Sequence, residues 1–179
     1  MQRSFTRLWR SNAGTRDRPV PGQSYMTAIS GLLQTIPLLS TLSSSQLTAM
    51  AGVCERCTFA PGEKIAVAGA ASDAAYFMMD DHTECLTTDA DGNQIKTSIP
   101  SGAVLLELAM IVELDVSATC VARSAAKVLK IPRQQVHDLM QEDIALTDKV
   151  IEALTVRLKD MGETMREASA PFEPVKRSA

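Results

Sequence analysis

The sequence predicts an α+β fold in which a small antiparallel β-roll, or jelly roll, is flanked by N-terminal helices and a long C-terminal helix. Three observations predict it. Apolar residues recur with helical spacing after Thr27, short apolar runs separated by turn residues follow Cys57, and helical spacing returns beyond Pro132. With 179 residues, 45% of them hydrophobic, the chain can fill one core and has little left for a second domain.

Residues 1–25 form a basic segment that we predict to be a flexible leader. Its five arginines and one aspartate give it a net charge of +4, which leaves −7 on the rest of the chain. Phe5, Leu8 and Trp9 have helical spacing, so a helix here would present an apolar patch edged with cations to an anionic membrane or a partner protein. A disordered segment is the simpler interpretation. The acidic remainder repels phosphate backbones, so no nucleic-acid partner is expected.

Two helices are predicted before the roll. The first begins near Thr27 and is interrupted by Pro37, and the second begins at Ser43 or Ser44. Their apolar faces are formed by Ile29, Leu32, Leu33 and Ile36 in the first helix and by Leu47, Met50 and Val53 in the second.

The strands of the roll are predicted from short apolar runs between turn residues. The runs read CTF, KIAVA, AAYFMM, ECLTT and QIKTSI, and the turns include Pro61-Gly62, Gly69 and residues 100–102. Residues 89–93 read DADGN, and Asp91-Gly92 is the pair that a tight hairpin prefers. We therefore expect a hairpin tip at this point.

The C-terminal helix is predicted to run from Glu142 to about Ala168, after a shorter helix around Val136. Its apolar residues recur at alternating spacings of three and four, which is the seam of a two-helix coiled coil. These residues are Ile151, Leu154, Leu158, Met161 and Met165. The same stripe also suits packing on the protein's own roll, so a homodimer and an internal contact both stay open. We place one domain at 26–168, with this helix included, and expect residues 169–179 to be a disordered tail.

The cysteines and the lack of catalytic motifs narrow the class of protein. Four scattered cysteines are too few for a disulfide-stapled secreted scaffold, so we expect reduced thiols. The first 25 residues have no continuous apolar core like that of a secretory signal, so we expect a cytoplasmic protein. Cys54 and Cys57 form a lone CxxC pair, which is weak evidence for a metal, and none is expected. The sequence has no membrane-spanning stretch, nucleophilic triad or phosphate-binding loop, so we expect no enzyme. His137, beside Asp138, is expected at the surface.

Three motifs accompany this order of elements. They are the phrase IPLLSTLSSSQL, the glycines Gly62 and Gly69 that allow tight turns with positive φ, and the aromatic pair Tyr76-Phe77. Together they resemble the cyclic-nucleotide-binding domains of catabolite-activator-like regulators, gated channels and cyclic-nucleotide-dependent kinases. The resemblance extends from Leu32 to about Met161 and implies the β-roll. The transcription factors of this type continue into a helix-turn-helix, which we do not expect to follow here.

The stretch from Leu105 to Cys120 is similar to the phosphate cassette of that family. The cassette reads Phe-Gly-Glu-Leu-Ala-Leu-Leu, a short gap, then Arg-x-Ala-Thr-Val, and the lengths agree. The resemblance places Glu107 at the glutamate that binds the ribose 2'-hydroxyl, and Ala118 and Thr119 beside the phosphate and base. It implies cAMP or cGMP as ligand. The candidate ligand-binding residues are Glu107, Leu108, Ala109, Val116, Ala118 and Thr119.

Two positions depart from the cassette. Val116 occupies the place of the arginine that pairs with the phosphate, and Leu106 that of the glycine whose amide approaches it. No Lys or Arg lies between Lys96 and Arg123, so a replacement cation would have to come from one of these two. Losing a charge-assisted bond to a buried anion costs about 1.5 to 3 kcal/mol. We therefore expect weak or lost nucleotide affinity.

Two functions follow from this pattern. The first is a non-catalytic regulatory or sensor module that dimerises through the C-terminal seam. The second is a degenerate adapter or scaffold, which acts through protein contacts of the C-terminal helix and the basic leader. A variant of the first places an uncharged or apolar ligand in a pocket lined by Leu106, Met110 and Val116.

Overall fold

The computed structural model describes residues 15–17, 23–88 and 91–168. The helices are α1 (Gln23–Leu33), α2 (Ser44–Val53), α3 (Arg133–Glu142) and α4 (Ile144–Ala168), with 3₁₀ helices at Pro37–Leu39 and Glu107–Met110. The strands are β1 (Thr15–Asp17), β2 (Glu55–Phe59), β3 (Lys64–Ala66), β4 (Ala71–Ser72), β5 (Ala74–Met78), β6 (Thr83–Thr88), β7 (Gln94–Ile99), β8 (Val104–Leu105), β9 (Leu114–Asp115), β10 (Thr119–Ala122) and β11 (Ala126–Pro132).

The strands form an antiparallel roll, which confirms the predicted fold class. One sheet has five strands in the order β1-β2-β11-β5-β8, a second has four in the order β3-β10-β6-β7, and β4 pairs with β9. Every pair among these strands is antiparallel. The predicted hairpin is also present, since β6 pairs with β7 and Gly92 has a φ of 85°.

The central strands of the five-stranded sheet are buried on both faces. Along β5, Ala75 and Phe77 face a cluster formed by the helices, while Tyr76 and Met78 face the interior of the roll. Alternation along a strand divides the residues in this way. The sheet is therefore the wall between a helical layer and the roll, and the cassette lies at its β8 edge.

The helical layer is fixed by caps and by apolar stripes. Ser43 and Gln46 form a capping box at the start of α2, which agrees with the predicted helix start. Asp143 separates α3 from α4: its carboxylate accepts from the Leu146 N–H and from the Gln46 amide, at 3.0 and 3.1 Å. The Leu146 bond, followed by the Gln46 bond, holds the pKa of Asp143 below its usual range.

The N-terminal 25 residues contain structure that the sequence does not predict. Thr15–Asp17 pairs with β2 and extends the five-stranded sheet, and α1 begins at Gln23, before the predicted domain start at 26. The outer edge of β2 offers unpaired backbone groups that even a short polar strand satisfies. The apolar patch at Phe5, Leu8 and Trp9 and the tail at 169–179 lie outside the described residues.

The expectation of four reduced thiols is wrong for two of them. Cys85 and Cys120 are disulfide-bonded, while Cys54 and Cys57 are not. Cys85 on β6 lies directly opposite Cys120 on β10. This pairing depends on the register of strands that are far apart in sequence, so the sequence gives no local signal for it.

Candidate functional site

The cassette is positioned by the short strand β8 and by the 3₁₀ helix that follows it. Val104 and Leu105 pair with Phe77 and Tyr76 of β5, which anchors the cassette to the sheet that separates the two clusters. Met110 ends the 3₁₀ helix and is fully buried among the helices. Leu106, four residues earlier, packs on the roll side. The predicted pocket of Leu106, Met110 and Val116 is therefore not formed, because Met110 belongs to the helical cluster.

Leu106 adopts a backbone conformation that normally belongs to glycine. Its φ is 56° and its ψ is 41°, in the left-handed region. A bulky residue rarely adopts this conformation, and its cost is of order 1 to 3 kcal/mol. The turn that the resemblance assigns to glycine is thus kept, but a half-buried leucine side chain packs where the family has none.

Val116 is buried in the roll, with 4% of its surface exposed. It forms a cluster with Ala66, Cys85 and Cys120. Its backbone carbonyl accepts from the Gly69 N–H at 2.8 Å, and its own N–H donates to Ala70 at 2.9 Å. The position that the resemblance assigns to the family's arginine is therefore occupied by an apolar side chain with apolar neighbours.

The two nearest cations in sequence are engaged elsewhere. Lys96 on β7 lies 3.8 Å from the Glu84 carboxylate and is largely exposed. Arg123 donates to the backbone oxygen of Asp81 at 2.6 Å. The structure thus gives both side chains partners other than Val116.

Glu107 faces helical elements with both of its oxygens. One oxygen accepts from the N–H of Leu38 at 2.9 Å, within the 3₁₀ helix Pro37–Leu39. The other lies 3.5 Å from the Arg157 guanidinium on α4, and the Glu107 side chain is only 11% exposed. A residue expected at a ribose therefore joins the cassette to two parts of the helical layer.

The remaining candidate residues divide between the two sides of the cassette. Thr119 accepts from the Ala68 N–H at 3.1 Å through its hydroxyl, and Ala118 packs beside the Val116 cluster. Ala109 is fully buried and Leu108 is half-buried. The structure brings Val116, Ala118 and Thr119 together on the roll side, whereas Glu107 points its carboxylate to the helices. The ligand-binding role of all six stays a prediction.

His137, which we expected at the surface, contacts the cassette. Its Nε2 lies 2.7 Å from the backbone oxygen of Ile111, at the end of the cassette helix. The neighbouring Asp138 instead accepts from Gln134. The partner of His137 is 26 residues away, so no local spacing in the sequence predicts this contact.

The Cys54 thiol and the search for metal-binding groups give no support to a catalytic or metal-binding role for the CxxC pair within the described residues. Burial, followed by the charge of Glu55, raises the pKa of the Cys54 thiol to about 12, so the thiol is protonated at neutral pH. Among residues 15–17, 23–88 and 91–168, no three His, Cys, Asp or Glu side chains form a metal-binding group. No helix in the same ranges is long and apolar enough to cross a membrane.

Comparison with solved structures places this fold. The N-terminal domain of a transcriptional regulator from Streptomyces coelicolor A3(2) has a TM-score of 0.68 over 82% of this chain and 99% of its own, with 18% identity. The catabolite activator protein of Thermus thermophilus has a TM-score of 0.57 over 74% of this chain and 63% of its own, with 19% identity. The regulatory domain of Toxoplasma gondii PKA, solved with cAMP, has a TM-score of 0.58 over 75% of this chain and 50% of its own, with 18% identity. At these identities the likeness shows the fold.

Sequence comparison supplies the family. No curated protein sequence matches the chain. The family model described as the cyclic nucleotide-binding domain matches residues 56–143, which include β3 to β11, all of β2 except Glu55, the whole cassette and α3. Residues 56–143, just under half of the chain, therefore match the cyclic nucleotide-binding domain family.

Proposed function

We propose that the chain is a non-catalytic regulatory module of the cytoplasm whose affinity for cyclic nucleotides is weak or lost. The single observation that carries this proposal is Val116, an apolar residue buried where the family's phosphate-pairing arginine belongs. A cyclic phosphate brought to this cluster would lose its hydration without gaining an ion pair. The missing charge-assisted bond alone costs about 1.5 to 3 kcal/mol.

Two further features work against phosphate binding. The Leu106 side chain packs on the roll side of the cassette, at the position that the resemblance assigns to glycine. The nearby carboxylates Glu113 and Asp115 are exposed and of the same sign as a phosphate. Together with the missing cation, these effects lower affinity by about 3 kcal/mol or more, which is over a hundredfold. Titration with cAMP and cGMP tests this proposal directly.

The contacts of Glu107 support a regulatory output through α4. Glu107 joins the cassette to Arg157 of α4 and to the N-terminal helical layer through Leu38. A change in the cassette therefore alters contacts of α4, and a ligand or partner that favours one arrangement shifts the population of α4 positions. The likeness to the N-terminal domain of a transcriptional regulator agrees with such a role.

We propose a second copy of the chain as the partner of α4. Leu146 and Val150 are buried in the core, whereas Ile144, Ile151 and Leu158 are 76%, 53% and 53% exposed. These three residues recur every seven positions, so they form one stripe along the helix. Leu154, half-buried against the core, contributes less to the predicted seam. The side chains of Met161 and Met165 lie outside those described.

The stripe predicts a dimer that charged substitutions separate. We expect the wild type to have the mass of a dimer and the double variant Ile151→Glu, Leu158→Glu to have that of a monomer. Val156→Glu is the matched control, since Val156 is also 53% exposed but faces another side of α4. Sedimentation or light scattering gives the masses. A monomeric wild type, or a double variant that keeps the mass of a dimer, would contradict a dimer formed through this stripe.

The degenerate adapter remains the second candidate, favoured by the same loss of the phosphate partner. In that function α4 and the basic segment 1–25 contact a different protein. A monomeric wild type whose Ile151 and Leu158 variants lose a protein partner supports the adapter. A dimeric wild type supports the regulatory module.

A further inference from the structure

The Cys85–Cys120 disulfide lies inside the roll, beside the residues that replace the phosphate site. Cys85 and Cys120 are 7% and 4% exposed and share a cluster with Val116. Leu105 and Leu106, both from the cassette, are half-buried against the same cluster. The bond therefore touches the cassette from the side on which the family binds its ligand.

The disulfide also closes the chain segment that contains the cassette. Its two cysteines are 35 residues apart in sequence. Between them lie β7, β8, the 3₁₀ helix Glu107–Met110 and β9. The bond thus fixes the two ends of this segment at one point of the four-stranded sheet, where β6 meets β10. Opening the bond releases a constraint on the whole segment.

We propose that Cys85 and Cys120 form a reversible dithiol–disulfide site through which the redox state of the protein's surroundings controls the cassette. The reactant is a dithiol, either a small molecule or a protein. This site goes beyond the proposed function, because it requires neither a nucleotide nor a dimer. Opening or closing the bond between the two strands changes the mobility of residues 106–111.

The exchange chemistry balances with a dithiol. A thiolate of the reactant attacks one sulfur of the bridge, forms a mixed disulfide and expels the other cysteine as a thiolate, which takes up a proton. The second thiol of the reactant then loses its proton and attacks the mixed disulfide, which releases the second cysteine. The protein gains two thiols, and the reactant becomes a disulfide. An oxidised disulfide reactant reverses both steps.

The other cysteines are separated from this site by the fold. Cys57 is buried in the cluster formed with Phe59 and Val128, while Cys54 is half-buried against the helical layer at the end of α2. Neither belongs to the cluster of Cys85 and Cys120. Neither Cys54 nor Cys57 is therefore placed to exchange with the Cys85–Cys120 bond.

Reduction affects the cassette first because the cassette covers the bond. Two unlinked sulfur atoms need more room than a bonded pair, and the cluster that surrounds them is tightly occupied. Leu106 packs against this cluster and already has a strained backbone. Its displacement also moves Glu107, the next residue, away from the Leu38 N–H and Arg157. The helix α1 packs in a different cluster from the disulfide, so we expect its amides to keep their protection from hydrogen exchange.

The test uses the full chain, dithiothreitol as reductant and oxidised glutathione as oxidant. Cysteines are counted by alkylation under denaturing conditions and mass spectrometry, and amide hydrogen exchange is followed peptide by peptide. We expect two alkylated cysteines in the oxidised protein and four after reduction. Reduction should speed exchange of residues 106–111 by about tenfold or more, and leave α1 within about twofold. Reoxidation should restore both results.

Two variants sharpen the test. The double variant Cys85→Ser, Cys120→Ser should show the amide hydrogen exchange of the reduced wild type, and dithiothreitol should not change it. Cys54→Ser, at a cysteine outside the bridge, should respond to dithiothreitol like the wild type. Three results would each overturn the proposal. The first is four alkylated cysteines in the oxidised protein. The others are hydrogen exchange at 106–111 that does not change on reduction, and a rise in exchange rate that is equal throughout the chain. If the double variant does not fold, the comparison of oxidised with reduced wild type decides alone.

Discussion

Val116→Arg is expected to lower the free energy of unfolding by about 3 to 5 kcal/mol, the usual cost of a buried charge that lacks a partner. Val116 is 4% exposed, and its cluster consists of Ala66, Cys85 and Cys120. A guanidinium placed there loses its hydration unless it distorts the roll to reach water. Urea unfolding monitored by circular dichroism measures the loss.

A second valine in the cassette provides the control for this prediction. Val112 is 39% exposed, so Val112→Arg should change the free energy of unfolding by no more than about 0.5 kcal/mol. Equal stability of the Val116→Arg and Val112→Arg variants would show that position 116 faces water, contrary to the structure. Added cAMP should restore stability to Val116→Arg combined with Leu106→Gly, because the phosphate then pairs with the new cation.

Glu107→Ala is expected to lower the free energy of unfolding by about 2 kcal/mol. The substitution removes the acceptor of the Leu38 N–H, a charge-assisted bond whose loss leaves a buried donor unpaired. Leu38 is 1% exposed, so water does not readily replace the carboxylate. Denaturant unfolding gives the stability, and hydrogen exchange at the Leu38 amide gives the local effect.

Glu107→Gln separates the two contacts of Glu107. Glutamine keeps an acceptor for Leu38 and loses only the attraction to Arg157, which is 44% exposed and 3.5 Å away. Partly exposed ion pairs contribute at most about 1 kcal/mol, so glutamine should cost less than that, and Arg157→Ala should cost a similar amount. If alanine and glutamine at position 107 were equally destabilising, the bond to Leu38 would not be the important one.

The local features of the fold are predictable because their signals lie within a few residues. Gly62 and Gly69 have φ values of 82° and 78°, as the turn assignments require. Ser43 caps α2 through Gln46, three residues later. The burial of Ile29 and Leu33 follows from helical spacing. Each of these features depends on spacing or backbone preference that one stretch of sequence contains.

The features that the sequence does not predict depend on contacts between distant residues. The disulfide needs the register of β6 against β10, and the β1 strand needs the free edge of β2. The Glu107 side chain faces a helix 69 residues earlier in the chain, although the family resemblance assigns it to a ribose. The family match includes the stretch that the resemblance assigns to the cassette, whereas the direction of a side chain within it depends on what the rest of the chain brings near.

Helix α4 shows both what local spacing predicts and what it leaves open. Spacing identifies the apolar stripe but cannot divide it between the core and the solvent. The structure makes this division: Val150 is buried and Leu154 half-buried, while Ile151 and Leu158 are more than half exposed. The residues that matter for a partner are therefore only part of the predicted seam.

The measurement that tests the central claim most directly is calorimetric titration of the wild-type chain with cAMP and with cGMP. The variant that combines Leu106→Gly with Val116→Arg is the positive control, since it restores the glycine and the arginine of the family. We predict no binding heat from the wild type at micromolar concentrations and measurable cAMP binding by the variant. Micromolar binding by the wild type would contradict the account, because it would require a cation at a site where the structure shows an apolar cluster.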